Sequence, residues 1–290
     1  MRVSTRTFQL MALRDLRAGL GTLARLQQQA ATGRRVSTVS DAPVDAGEIM
    51  RLQSQVRDIG QFRRNQTSAT TRLSAEDVSL KAVSDLLTRA RAAAESVASD
   101  DLTDPVRQTA LETVRQIRDQ IVSLGNTQVG SDYIFAGGNS TAPAFAADGS
   151  YLGDSLSRDV EIGPGVRVAT TDPGNRMIAG ALDALADLGA QLAAGTNADV
   201  KAALPALDAA RQTALAVQAQ AGARLQQITA AGQALAQQSA TLLDRRDALQ
   251  NVDPTEAALE VVNAQSALER AYAAIGKVLS TNLLDSLTVS

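Results

Sequence analysis

The residues best able to carry chemistry are the carboxylates of the segment 130–178, because the chain of 290 residues contains no His and no Cys. Their absence excludes a Ser-His-Asp triad, an imidazole base, a thiolate nucleophile and a zinc site built on Cys or His. Acidic side chains could still supply a general acid–base pair or a Ca²⁺ site. Their spacing matches no metal-binding loop, and aspartates are common turn formers. We therefore expect no enzymatic activity, cofactor or metal site from Asp148, Asp154, Asp159, Glu161 and Asp172.

Charge and hydropathy exclude further classes of protein. The formal net charge is only −3, which argues against a general nucleic-acid binder. No apolar run approaches the roughly 18 residues that a membrane span needs, so no membrane insertion is expected. The first segment is interrupted by Arg14, Asp15 and Arg17 and lacks the continuous apolar core of a secretory signal. Composition alone thus indicates a cytosolic, Ala-rich helical scaffold.

The helices that would position any functional surface are marked by start and stop signals. A leucine stripe with 3–4 spacing predicts an N-terminal helix that ends at Gly33, where glycine can adopt the left-handed conformation. Asp41 and Pro43 then predict the N-cap and first turn of a long helix, periodic over 49–98. Asp104-Pro105 predicts a third helix, which ends at Gly125.

The middle of the chain changes character. Tyr133-Ile134-Phe135 is a β-prone run, and two alternating segments, 158–162 and 165–169, flank the turn signal Gly163-Pro164. Helical periodicity resumes near Ile178, and a second long helix is predicted over 198–250. Asp253-Pro254-Thr255-Glu256 predicts the capped start of a final helix.

This layout is nearly symmetric about the middle segment and predicts that the two terminal helices pair with each other, as do the two long helices. The predicted fold class is mainly α with a small β-rich insert, as a long antiparallel helical bundle or coiled coil. The predicted domains are a terminal-helix assembly domain (1–35 and 253–290), a helical rod domain (36–129 and 179–252) and the insert (130–178).

Three regions of the sequence carry a resemblance to a known family. The opening Met-Arg-Val-Ser-Thr, the segment 26–36 ending in Ala31-Thr32-Gly33-Arg34-Arg35-Val36, and the following Ser40-Asp41-Ala42-Pro43 resemble the N-terminus of the flagellin superfamily. The stretch 130–138, with Tyr133-Ile134-Phe135-Ala136-Gly137, is similar to a segment of the hook-associated members of that superfamily. The capped last helix with its leucine-rich end fits the C-terminal segment of the same family.

The resemblance implies a structural subunit of the bacterial flagellum, at the junction between hook and filament, that polymerises through its terminal helices. It implies export through the flagellar type III channel to an extracellular location, and self-association in a ring. The implied partners are other axial proteins (the adjacent hook-associated junction protein and flagellin) and an export chaperone that binds the C-terminal helix. Two alternatives stay open: a short flagellin that builds the filament, and a cytosolic coiled-coil adaptor.

The predicted subunit-assembly interface consists of large side chains on the two terminal helices. The turn after the first helix is a further contact, since its arginines could bind carboxylates of an adjacent subunit. Isolated helices are marginal in water, so we expect residues 5–30 and 256–287 to exchange amide protons faster in the free monomer than the 49–98 helix. The interface residues are Leu13, Leu16, Leu20, Leu23, Val261, Leu268, Tyr272, Ile275, Leu279 and Leu283, and the turn residues are Gly33, Arg34 and Arg35.

Overall fold

The fold is mainly α-helical with a small β-rich insert, as the sequence predicts. A computed structural model describes residues 2–98 and 104–287. Its helices are α1 (Arg2–Thr32), α2 (Pro43–Ala98), α3 (Asp104–Gly125), α4 (Ile178–Ala194), α5 (Asn197–Gln250) and α6 (Pro254–Leu287). Its strands are β1 (Gln128–Val129), β2 (Asp132–Tyr133), β3 (Asp159–Gly163) and β4 (Val166–Ala169).

The chain divides into two compact units. Unit 1 comprises 1–57 and 238–290, and unit 2 comprises 58–237, so the unit boundaries fall inside α2 and α5. The three-part division predicted from the sequence stays a prediction, and each unit is described by itself below.

Unit 1 contains the predicted pair of terminal helices. The helices α1 and α6 pack against each other. A small apolar cluster of Val36, Ala46 and Ile49 lies beside them, with Leu249 packed on it. Asp253 caps α6 as predicted, because its Oδ1 accepts the backbone N–H of Thr255 at 2.7 Å.

Asp41 does not cap α2, so that prediction is wrong. Its Oδ2 accepts the backbone N–H groups of Ser37 and Thr38, at 2.9 and 2.8 Å. The carboxylate therefore holds the preceding loop, and these two hydrogen bonds lower its pKa. An aspartate near a helix start can bind backbone groups on either side of it, and spacing alone does not distinguish the two.

Unit 2 contains the large core, to which four helices and the insert contribute. The α2 positions Leu73, Leu80, Val83 and Leu87 are all buried, and they follow 3–4 helical spacing. The predicted pairing of the two long helices is present, because Arg91 pairs with Asp208 and Gln218 Nε2 donates to Asp77 at 3.0 Å. The short helices α3 and α4 pack closely on each other.

The insert contributes to two antiparallel hairpins, β1–β2 and β3–β4, and β1 lies just before its predicted start. The second matches the two predicted alternating segments. The first contains only Tyr133 of the predicted run Tyr133-Ile134-Phe135, because Ile134 and Phe135 leave the strand in a turn and are fully buried in the main core. Apolar burial therefore decides the position of these two side chains, and strand pairing does not.

Candidate assembly interface

The contact between α1 and α6 buries one stripe of the predicted interface. Leu268 is buried and packs on α1 at Gly19, where an added Cβ would lie 3.6 Å from the leucine Cγ. Leu16 and Leu23 flank Gly19 on the same helical face and are half-buried. Val261 and Ile275 are half-buried on α6 at matching seven-residue spacing around Leu268. These five predicted residues lie in one seam inside unit 1.

Three other predicted residues lie outside this seam. The exposed fraction is 54% for Leu13, 44% for Leu20 and 50% for Tyr272. Leu10 is also exposed and lies on the same side of α1 as Leu13 and Leu20. We call Leu10, Leu13 and Leu20 the leucine flank. Leu279 and Leu283 belong to α6, but their side chains lie outside the described part of the structure.

The other side of the seam is a groove lined mainly by small residues. It has a volume of about 240 Å³, and Asp15 stands among its lining residues. Because each residue advances about 100° around an α-helix, positions 15, 19 and 22 lie on one side of the Leu16–Leu23 stripe and the leucine flank on the other. The residues that line the groove are Asp15, Leu16, Gly19, Thr22, Ala264, Ala267, Leu268 and Ala271.

The turn after α1 is bound to the turn between α5 and α6. Gly33 has φ +66°, the left-handed conformation that the sequence predicts there. The N–H of Arg35 donates to Gln250 O at 2.7 Å, and the N–H of Val252 donates to Gly33 O at 3.1 Å. An isolated β-bridge pairs Arg34 with Asn251. These backbone contacts join the two connections that flank the terminal helices.

The two arginines of this turn have different roles. Arg35 binds within the chain, since its Nη2 donates to Asp45 Oδ2 at 2.7 Å and to Leu249 O at 2.8 Å. Arg34 is exposed, so the predicted contact with a neighbouring subunit rests on this residue. The sequence reasoning missed Asp45 and Gly19; the signal for Asp45 is an acidic residue in the first turn of α2.

The carboxylates that could have carried chemistry are bound in the turns of the insert. Asp154 Oδ1 accepts the N–H groups of Gly138 and Leu156, at 2.8 and 2.9 Å, and these bonds lower its pKa. Asp148 accepts the hydroxyl and the N–H of Ser150, which lowers the pKa of Asp148. Over residues 2–98 and 104–287, no group of three or more acidic side chains is arranged to hold a metal ion. No described helix is long and apolar enough to cross a membrane.

Comparison with known proteins shows which family the chain resembles. Residues 3–140 match the model of the bacterial flagellin N-terminal helical region. The resemblance of this sequence to the flagellin superfamily is therefore confirmed, and the matched residues include α1, α2, α3 and the first hairpin.

The relatives within that class are hook-associated proteins. Flagellar hook-associated protein 3 of Escherichia coli (strain K12) is 28% identical over 165 residues, which cover 56% of this chain and 52% of the relative. The protein of the same name from Salmonella typhimurium is 29% identical over 159 residues, 54% of this chain and 50% of the relative. The matched region thus spans about half the length of these curated relatives.

Solved structures share the fold. The crystal structure of Bacillus cereus FlgL has a TM-score of 0.61 at 19% identity, over 68% of this chain and 99% of that chain. The flagellar junction protein FlgL from Legionella pneumophila has a TM-score of 0.56 at 16% identity, over 72% of this chain and 100% of that chain. At these identities, the likeness shows a shared fold.

Proposed function

We propose that this chain is a structural subunit of the bacterial flagellum, located outside the cell at the junction between hook and filament, and that it polymerises through its terminal helices. Its similarity to two proteins named flagellar hook-associated protein 3 supports this position in the flagellum. The observation that carries the proposal is the exposed leucine flank of α1, beside a helix pair whose own seam is already filled.

The two sides of the α1–α6 pair are complementary. One side presents the large side chains of the leucine flank, and the other presents a groove bordered by Gly19, Ala267 and Ala271. Such unlike surfaces suit head-to-tail contacts, which generate rings or helical arrays. Charge is complementary as well, because Arg17 lies on the side of the leucine flank and Asp15 lines the groove. Successive subunits therefore dock the leucine flank of one copy into the groove of the next.

Other axial proteins and an export chaperone are the remaining partners. The neighbouring hook-associated protein and flagellin would contact the same helix pair on either side of the ring. The chaperone would bind α6 during export, where Leu259, Val262 and Tyr272 are exposed apolar or aromatic side chains. Arg34 would pair with a carboxylate of an adjacent subunit.

Substitution on the leucine flank tests the interface. Leu13→Asp combined with Leu20→Asp is expected to weaken self-assembly on the order of 10²- to 10⁴-fold, because each buried leucine contributes roughly 1.5–3 kcal/mol. Ala267→Trp, which fills the groove, is expected to reduce assembly too. Light scattering and electron microscopy of the purified chain under polymerising conditions would measure both effects.

The matched control is Met50→Asp, which replaces another exposed apolar residue of unit 1 by aspartate on α2, outside both surfaces. It is expected to assemble like the wild type. Circular dichroism would establish that each variant keeps its helices. If the double variant assembled normally while folded, the leucine flank would not be the interface.

Deleting the gene tests the position in the flagellum. A junction subunit predicts cells with intact hooks, no filament, and flagellin shed into the medium. Loss of the filament without shed flagellin would instead identify the chain as a short filament subunit. A normally flagellated strain would reject both functions.

A further inference from the structure

The middle of α2 contains a buried carboxylate with no partner. The side chain of Glu76 is 1% exposed, and neither of its oxygens has a hydrogen-bond partner among the described residues. Burial of an ionised carboxylate without a partner costs several kcal/mol, so such a group usually stays protonated. Glu76 lies between Leu73 and Leu80 on the buried face of the helix.

A loop of the insert brings a second acid to this carboxyl group. Asp172 follows β4, is 5% exposed, and accepts hydrogen bonds from Arg224 of α5: Nη1 to Oδ2 at 2.6 Å and Nη2 to Oδ1 at 3.3 Å. The neighbouring Thr171 Oγ1 is also buried and has no described partner. We call Glu76, Asp172 and Arg224 the buried carboxyl cluster; it joins α2, the insert and α5 within unit 2.

The charged groups around Glu76 do not compensate the negative charge that it would carry if ionised. The pKa of Glu76 is raised to about 8, chiefly by burial and also by the Asp172 carboxylate, while Arg224 and the backbone N–H of Asp172 lower it. Arg224 is already bound to Asp172 with both of its terminal nitrogens. On α2 itself, the nearest charged groups have other partners, since Arg72 pairs with Asp132 and Asp77 accepts from Gln218.

We propose that the carboxylic acid of Glu76 donates a hydrogen bond to the Asp172 carboxylate, so that the loop 170–173 is held to α2 in neutral and acidic solution and loses this attachment in alkaline solution. The release step is simple proton transfer, in which hydroxide removes the shared proton as water and leaves two carboxylates beside one guanidinium. This inference concerns unit 2 alone and does not depend on the proposed function.

The release is local because the rest of the hairpin has independent attachments. Gln66 Nε2 donates to Ile162 O at 2.7 Å, and Ile162 and Val168 pack in a separate apolar cluster with Leu73. After ionisation, the loop loses its attachment to Glu76, while Asp172 keeps its ion pair with Arg224 and β3 and β4 stay in place. The backbone bond from Gly174 N–H to Phe135 O at 2.9 Å directly follows the loop and would open with it.

Hydrogen exchange of the full chain between pH 6 and 9.5 tests the proposal. After correction for base-catalysed intrinsic exchange, the wild-type amides of Thr171, Asp172 and Gly174 are expected to lose at least about 10-fold protection through pH 8. The amides of β3 are expected to keep theirs. Glu76→Gln cannot ionise and is expected to show a flat profile, whereas Glu95→Gln, the same change at an exposed α2 position, is expected to follow the wild type.

Two further measurements separate the proposal from a folding defect. The ¹³C carboxyl resonance of Glu76 in the wild type is expected to titrate near pH 8, and Asp172→Asn is expected to move that transition to lower pH by removing the like charge. Titration of Glu76 together with the exposed carboxylates would overturn the proposal. So would the same pH profile in Glu76→Gln and the wild type.

Discussion

Phe145→Ala is expected to destabilise unit 2 by about 3–5 kcal/mol, because it removes a fully buried ring from a core that cannot close the gap. Phe145 is 2% exposed, and its ring lies 5.2 Å from that of Tyr151. The side chain of Asn126 holds the backbone of Phe145 with two hydrogen bonds: Nδ2 donates to Phe145 O, and Oδ1 accepts Phe145 N–H, both at 2.9 Å. In Phe145→Ala these hydrogen bonds still hold the backbone in place, so the space of the missing ring remains as a cavity.

The same ring explains why glycine occurs at the end of α3. A Cβ at Gly125 would lie 2.6 Å from Phe145 Cδ2 and 3.3 Å from Ile178 Cγ2. Gly125→Ala is therefore expected to cost about 1–3 kcal/mol, although alanine normally stabilises a helix relative to glycine. At Gly222 in α5, an added Cβ meets nothing within 4 Å, so Gly222→Ala is expected to stabilise unit 2 by about 0.5–1 kcal/mol.

A double-mutant cycle of Phe145→Ala and Gly125→Ala measures the contact directly. In the double variant, the new methyl group occupies space that the ring has left. Its loss of stability should therefore be smaller than the sum of the two single losses by about 1–3 kcal/mol. Denaturant unfolding followed by tyrosine fluorescence reports unit 2 alone in a Tyr272→Phe background, because the other tyrosines, Tyr133 and Tyr151, lie in unit 2. Additive losses of stability would show that the Phe145 ring is not the reason for glycine at position 125.

Helix number and helix ends could be predicted because they depend on local chemistry. Gly33 ends α1 in the left-handed conformation, and Asp253 caps α6 through a hydrogen bond to a near neighbour. Asp41 was predicted wrongly by the same logic, because its carboxylate binds the loop before it. Both outcomes involve residues within four positions of each other.

Which face of a helix is buried could not be predicted with the same accuracy. The leucine stripe of α1 includes both the seam residues Leu16 and Leu23 and the exposed residues Leu13 and Leu20. Neighbouring leucines on one wide apolar stripe fit the same helical periodicity, so the sequence does not distinguish the buried ones from the exposed ones. Only the position of α6 determines which leucines are buried. The seam residue Gly19 carries no hydrophobic signal at all, although Leu268 packs on it.

The buried carboxyl cluster was not recognised from the sequence for a related reason. At 3–4 spacing, either Glu76 or Asp77 can lie on the same face as Leu73 and Leu80, and the structure buries Glu76. A glutamate between two leucines at 3–4 spacing is the signal that could have found it. Its partners Asp172 and Arg224 are distant in sequence, so only the fold brings the three together.

Glu76→Gln is expected to remove the contribution of Glu76 to the loss of stability of unit 2 at alkaline pH. Folding raises the pKa of Glu76 from an ordinary value of 4.5 to about 8. Between these values, the folded protein keeps the proton and the unfolded chain releases it, so wild-type stability falls as pH rises. The loss is complete once the pH has passed the folded pKa, and glutamine contributes no such slope.

The stability of Glu76→Gln relative to the wild type should therefore grow by about 5 kcal/mol in total as the pH rises from below 4.5 to above 8, since each pKa unit corresponds to about 1.36 kcal/mol. All other titrating groups are common to both proteins, and their contributions cancel in the difference. Denaturant unfolding across this pH range, in the Tyr272→Phe background, measures it, with Glu95→Gln as the control for the substitution. Curves that stay parallel at every pH would mean that Glu76 is ionised in the folded protein, and burial without a partner would then have to be compensated by groups beyond Asp172 and Arg224.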